Sequence, residues 1–264
     1  MPSVSSAAVV AHGRDGLVAD ALTRLRTVAG ECGVQLLVDE EKDIRPDIAI
    51  VLGGDGTMLR ALTRFLGTGV PVIGVNYGRV GFLTAIAAAE LEDGARRVFA
   101  GEYRAVELSA LEVSVGDTTR VAVNDVVVAG GTLGRMVELG YAIGGEDLGS
   151  QPCDGLICAS PTGSTAYNLS NGGPVLVWGM DAMVLTFVAP HALHIRPLVV
   201  PRGPDVVVTN RTIGLAATVL ADGHAVGPLP EGETARVRLA DERSLLATLP
   251  EVTFFSRYAA TFGG

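Results

Sequence analysis

The chain has 264 residues, 48% of them hydrophobic and 19% charged, with a formal net charge of −9. That length suits one large domain or two modest ones able to bury a full core without staples, and the composition excludes a disordered chain. The negative balance argues against nucleic acid or an anionic membrane as the main partner, while leaving room for a local basic pocket.

Along the chain, Ala7 to Ala11 reads as a short apolar strand, followed by the polar turn His12-Gly13-Arg14-Asp15-Gly16. Leu17, Ala21, Leu22, Leu25 and Val28 then recur at helical spacing until Gly30. Val34 to Val38 is a second strand. The run Glu40-Glu41-Lys42-Asp43 after it holds the only lysine of the chain. Lys42 has no Gly-rich loop before it and no apolar sequence around it, which excludes a P-loop, a protein-kinase site and a Schiff-base lysine together. Ile48 to Leu52 and Pro71 to Val75 are further strands with a helix between them. Continuous apolar strands separated by helices predict a parallel sheet covered on both faces, so residues 1–103 are expected to form an α/β domain.

A helix is expected from Ala87 to Ala100, and beyond it the texture changes. Leu108–Val115, Val121–Val128, Met136–Ile143, Leu156–Ala159, Val184–Val188, Val206–Thr209, Leu215–Leu220, Ala235–Leu239 and Leu245–Leu249 are β-prone runs, most of them bounded by Gly, Pro, Asp or Asn. They predict an all-β domain over residues 104–250, a sandwich. The tail, residues 251–264, carries three phenylalanines and a tyrosine and is expected to pack back on the N-terminal domain. Cys32, Cys153 and Cys158 lack zinc-ligand spacing and read as buried thiols of a reducing compartment. With no signal-like start and no apolar stretch of spanning length, a cytoplasmic protein is expected.

Two segments carry chemistry. The strand Ile48–Leu52 runs into Gly53-Gly54-Asp55-Gly56-Thr57 and then a helix. Glycines at that junction turn backbone N–H groups toward an anion, and the helix N-terminus adds its own donors. Alone, the loop leaves a plain strand-to-helix turn equally open. Asp55 favours the cradle, because a carboxylate there repels phosphate unless it accepts a hydroxyl proton or holds Mg²⁺. The second segment, Asp154 to Pro174, follows a strand with a dense series of hydroxyls, small residues and Tyr167, which suits a nucleoside as well as it suits a surface loop.

Taken together these segments resemble the NAD kinase family. Gly53-Gly54-Asp55-Gly56-Thr57-Met58-Leu59, the stretch Gly74 to Thr84, Asn124-Asp125, Thr162-Gly163-Ser164-Thr165-Ala166-Tyr167, Pro190 to Pro197 and Asp222-Gly223 occur in the family's order. The resemblance implies transfer of the γ-phosphoryl of ATP, or of polyphosphate, to the 2′-hydroxyl of the adenosine ribose of NAD, with Mg²⁺ or another divalent cation accompanying ATP. By position it implies Asp55 as the base, with Gly53, Gly54, Gly56, Thr57 and Arg60 at the phosphates. Asn124, Asp125, Arg135, Asp154, Thr165, Ala166, Tyr167, Asn168, Leu169, Ser170 and His224 are implied at NAD. No protein-held metal is implied, and a homodimer or homotetramer is.

The chain departs from the family at Pro152, where a basic residue is common, at His224, where glutamine is common, and at Asp125, where glutamate also occurs. Arg64, four residues after Arg60, reads equally as a solvated side chain. His191 and His194, flanked by prolines, read as packed or capping rather than as a metal pair. A kinase of the same fold acting on another nucleoside, sugar or polyol hydroxyl is the alternative expectation, and a non-catalytic dinucleotide sensor is the third.

Overall fold

The computed structural model describes residues 3–11, 16–38, 45–78, 81–131, 135–192 and 194–263. The turn expected at 12–15, Lys42 with its acidic neighbours, Arg79, Val80 and Leu193 lie outside these. The chain divides into two units, one of residues 1–107 with 244–264 and the other of residues 108–243. Both boundaries fall inside strands, whereas breaks were expected at 103 and 250, and no linker composition marks them.

In the first unit, β1 (Ser6–Ala11), α1 (Gly16–Cys32), β2 (Gln35–Val38), β3 (Ile48–Gly53), α2 (Asp55–Arg64) and β4 (Pro71–Asn76) alternate. The strands lie parallel in the order β2-β1-β3-β4, with Val9 opposite Val38 and Ile50, and Ile50 opposite Ile73. Ile48, Val51, Leu52, Val72 and Ile73 are all inaccessible to solvent, as a parallel sheet covered on both faces requires. Helix α1 turns Ala21, Leu25, Val28 and Ala29 inward at helical spacing. The helix expected over 87–100 begins later. Ala85 N–H donates to the Gly74 carbonyl at 2.9 Å, β5 (Ile86–Ala87) pairs with β4, and a 3₁₀ turn at Ala88–Glu90 precedes α3 (Leu91–Phe99). Pairing with the sheet outweighs the helix propensity of the alanines there.

The second unit takes its strands from β6 (Arg104–Val115), β7 (Thr118–Ala122), β8 (Asp125–Gly130), β9 (Val137–Ile143), β10 (Glu146–Cys153) and β11 (Gly155–Ala159). A one-turn helix α4 (Tyr167–Ser170) follows, then β12 (Ala182–Val188), β13 (Leu198–Pro201), β14 (Val206–Asn210), β15 (Ala217–Ala221), β16 (His224–Leu229) and β17 (Thr234–Thr248). One sheet contains β10-β9-β14-β17 with β6 and β7 attached, and the other runs β13-β12-β11-β8-β15-β16. Leu139, Val206, Val208 and Val237 from one sheet share a core with Val126, Leu156, Cys158 and Val219 from the other, which makes this unit a β-sandwich.

Several strands depart from the expected pattern. The run expected over 121–128 is two strands separated at Val123-Asn124, and the two runs expected over 235–249 are the single strand β17. β10, β13 and β16 were not anticipated, being polar or half-exposed edge strands with little alternation to read.

The C-terminal end of β17 belongs to the first unit, where Leu245 and Leu246 pair in parallel with Pro71 and Val72 of β4. The tail forms α5 (Phe254–Phe262), which opens with a capping box: Ser256 N–H donates to Thr253 Oγ1 at 3.1 Å, and Thr253 N–H to Ser256 Oγ at 2.9 Å. Phe254 packs edge-on against Phe82 with centroids 5.3 Å apart, within the same unit.

Among the described residues no helix is long and apolar enough to cross a membrane. Cys153 and Cys158 are buried, and burial pushes both thiols up to about 12. Cys32 is instead exposed, because it ends α1 beyond that helix's buried stripe.

Candidate active site

In the first unit, β3 ends at Gly53, Gly54 caps α2 in extended conformation, and Asp55 opens the helix. Thr57, Met58, Ala61 and Leu62 turn inward, leaving Gly56, Arg60 and Arg64 on the exposed side, with Arg64 lying over the Phe65 ring at 5.3 Å. The Asp55 carboxylate is clasped by the chain that follows β4. Phe82 N–H donates to Oδ2 at 2.7 Å and Leu83 N–H to Oδ1 at 3.1 Å. Two charge-assisted bonds from successive amides fix both the orientation and the plane of the group. Gly81 makes this possible, since a Cβ there would overlap Asp55 Oδ1. Tyr77 N–H reaches the Gly53 carbonyl at 3.2 Å, tying the same segment to the glycine loop. What results is a half-buried carboxylate of set direction at a helix N-terminus, beside a backbone suited to anions.

In the second unit, the interruption between β7 and β8 has a cause. Val123 N–H donates to Asp222 Oδ2 at 2.8 Å, and the amides of Asn124 and Asp125 donate to Oδ1 at 2.8 and 3.1 Å. Asp222 is aimed there by a two-residue turn joining β15 to β16, in which Asp222 and Gly223 take φ of 47° and 76°. Asp-Gly suits that turn because both central residues need positive φ. Burial raises the Asp222 carboxyl, and the three amides and His224 pull it back. Asp125, only 8% exposed, is pushed up to about 6 by burial first and by the Asp222 charge second.

Asn124 joins this pair to the hydroxyl-rich segment. Its carbonyl accepts Ser160 N–H at 2.8 Å, and its Oδ1 is buried without a hydrogen-bond partner. Ser160 Oγ donates to the Val123 carbonyl at 2.5 Å and accepts Gly163 N–H at 3.2 Å. Beyond this latch Tyr167 is 46% exposed, Ser170 is exposed, and Thr165, Ala166 and Leu169 are half-buried. Arg135, Asp154 and His224 are exposed as well, with His224 Nδ1 3.0 Å from the Asp222 carbonyl. His191 and His194, expected to be packed or capping, are exposed.

Asn168 departs from its expected place at the dinucleotide. It is completely buried, its Nδ2 donates to the carbonyls of Ser164 (3.0 Å) and Pro174 (3.1 Å), and its Oδ1 accepts the Thr186 hydroxyl at 2.7 Å. Both amide hydrogens and the oxygen are spent on protein, so Asn168 ties the loop to β12. Asn168→Ala is expected to cost about 2–4 kcal/mol of stability, read as a lower urea midpoint, because the buried Ser164 carbonyl and Thr186 hydroxyl lose their partner together with the Pro174 carbonyl. Sequence reasoning also missed Asp222 as the organiser of Asn124 and Asp125. Its signal was the Asp222-Gly223 pair, one of the motifs that carry the family resemblance, just after the β-prone run Leu215–Leu220.

Comparison with known proteins separates a cradle-bearing α/β unit of general type from a specific lineage. Residues 12–103 match the model of the ATP-NAD kinase N-terminal domain, and residues 123–249 match that of the ATP-NAD kinase C-terminal domain. The chain belongs to the ATP-NAD kinase family. It is 40% identical over 228 residues to the NAD kinase of Gemmatimonas aurantiaca, covering 84% of this chain and 79% of that one. With the NAD kinase of Heliobacterium modesticaldum it shares 41% identity over 214 residues, covering 79% and 76%. Among solved structures, an NAD kinase from Archaeoglobus fulgidus in complex with ATP superposes with a TM-score of 0.78 at 25% identity, covering 98% of this chain and 97% of that one. Yeast NADH kinase complexed with NADH shares the fold, with a TM-score of 0.85 at 22% identity over 100% and 89% of the two chains.

Proposed function

We propose that this ATP-NAD kinase family member phosphorylates NAD to NADP, moving the γ-phosphoryl of ATP to the 2′-hydroxyl of the adenosine ribose. The observation that carries the reading is the Asp55 carboxylate, held by the Phe82 and Leu83 amides at the start of α2, in a chain that matches both domains of one kinase family. Asp55 takes the hydroxyl proton as the ribose oxygen attacks phosphorus, and its fixed direction supplies the orientation on which a loose phosphoryl-transfer transition state depends. Gly53, Gly54, Gly56 and Thr57 offer backbone to the phosphates, with Arg60 on the exposed side of the same helix turn.

In the second unit Asn124 and Asp125 hold ribose hydroxyls, supported by the unpartnered Asn124 Oδ1. Tyr167, with Thr165, Ala166, Leu169, Ser170, Asp154, Arg135 and His224, forms the accessible set for the rest of the dinucleotide. The divalent cation is proposed to enter as its complex with ATP. Such a cation neutralises phosphate charge during transfer.

Incubation of the purified protein with Mg²⁺, NAD and either ATP or polyphosphate tests the reading: NADP is the expected product, and its absence with both donors sinks the proposal. NADH and a panel of other nucleosides and polyols as acceptors measure how far the site prefers NAD.

Asp125 gives the binding step a pH dependence. Its carboxyl is raised in the folded protein, so folding is favoured at pH below the unfolded value and that contribution is lost as pH rises through about 6. Acceptance of ribose hydroxyls needs the ionised form, present above about 6. NAD affinity measured by calorimetry is therefore expected to weaken roughly tenfold from pH 7.5 to pH 5, with its midpoint near 6. Asp125→Asn should flatten that profile; an unchanged midpoint in the variant would assign the titration to another group.

A further inference from the structure

A kinase must place positive charge at phosphate, and with Lys42 as the only lysine the side-chain share of that charge falls mainly to arginine. Most arginines of the first unit with contacts described are already engaged. Arg24 is forked onto Glu92 with both bonds at 2.6 Å, and Arg97 onto Glu251 at 2.6 and 2.9 Å. Arg96 donates to Glu31 at 2.9 Å and Arg45 to the Thr68 carbonyl at 2.9 Å.

Arg257 differs from these. It is half-buried on α5, and its Nε is buried with no hydrogen-bond partner. Its position follows from packing inside the unit. Phe254 sits against Phe82, whose own N–H holds Asp55, and Arg257 lies three residues on, on the same side of α5. The Arg257 N–H bond to the Thr253 carbonyl at 3.1 Å, within the capped first turn, fixes the register. Burial lowers the affinity of Arg257 for its proton, and the charge opposing that effect is Asp55. The Asp55 oxygens meanwhile accept the Phe82 and Leu83 amides. The buried Nε of this half-buried side chain is a donor that lacks an acceptor, while the carboxylate whose charge it feels is already held by backbone. Such groups in native proteins call for an explanation, and an anionic ligand is one that also accounts for the charge.

We propose that Arg257 contacts the phosphates of ATP beside Asp55, supplying from the C-terminal helix the charge that a lysine supplies in other kinases. The assignment rests on the kinase reading above. Arg257→Met and Arg257→Lys test it. For Arg257→Met, kcat/KM for ATP is expected to fall by about 100-fold or more while KM for NAD stays within about threefold and the thermal midpoint stays close to that of the parent. Arg257→Lys should regain about tenfold, because an ammonium restores the charge without the fork.

A loss shared equally by both substrates and accompanied by a lower thermal midpoint would make Arg257 a packing residue and overturn the proposal; so would unchanged kinetics, or Lys no better than Met. Titration of Mg·ATP into the parent and Arg257→Met without NAD separates this from the function itself. Weaker ATP binding in the variant supports the contact even if the parent forms no NADP, and equal binding removes the contact even if it does.

Discussion

Asp55→Asn is expected to lower kcat for NADP formation by about 10²–10⁴ while leaving NAD affinity within a few-fold. The carboxylate uses one oxygen for each of two backbone amides, Phe82 at 2.7 Å and Leu83 at 3.1 Å. Asparagine keeps the shape and loses the base. It also turns an NH₂ toward one of the two N–H donors, so one bond becomes a donor–donor contact at a cost of about 1–3 kcal/mol. Asp55→Asn is therefore expected to show a modest drop in thermal midpoint beside its large kinetic loss. Initial rates of NADP formation at saturating substrates, with calorimetric NAD binding on the same preparations, separate the two effects. Undiminished turnover would remove Asp55 from the chemistry.

Gly81→Ala should cause a smaller loss of the same kind without touching a functional group. The added methyl would overlap Asp55 Oδ1, and the neighbouring amides leave the carboxylate no shift that keeps both hydrogen bonds. The atoms the added methyl meets are those of the carboxylate itself, so the cost falls on the direction of that group. A decrease in kcat of about 10–100-fold is expected, with KM for NAD nearly unchanged. In the Asp55→Asn background, Gly81→Ala should add little, because a carboxylate that is already absent cannot be misdirected. Full additivity in that double-mutant cycle would show that Gly81 acts by another route.

The sequence carries some of these features openly and hides others. The buried parallel strands were legible because both faces are covered, so their positions had to be apolar throughout. Glu146–Cys153 and His224–Leu229 were not, because edge strands are held by backbone bonds that put little demand on side chains. The continuity of β17 was hidden by the polar stretch Asp241 to Arg243, which sits among its apolar ends. Asp55 could be singled out from its glycine loop alone, since a carboxylate in an anion cradle is an anomaly that calls for a role. Asn168 could not be separated from its neighbours, because an amide in a hydroxyl-rich loop has the same composition whether it faces a ligand or is consumed by Ser164, Pro174 and Thr186.

By itself the sequence determined the α/β unit, the β-rich unit, the family and the glycine loop that carries Asp55, because each is written in residues adjacent in the chain. Only the tertiary structure decided that Phe82 and Leu83 aim Asp55, that Asp222 organises Asn124 and Asp125 from about a hundred residues away, and that Arg257 Nε is buried on the tail helix without an acceptor. Local pattern records what a residue is and which face it takes; the partner of a buried charge is set by packing between distant segments, and no spacing in the chain encodes it.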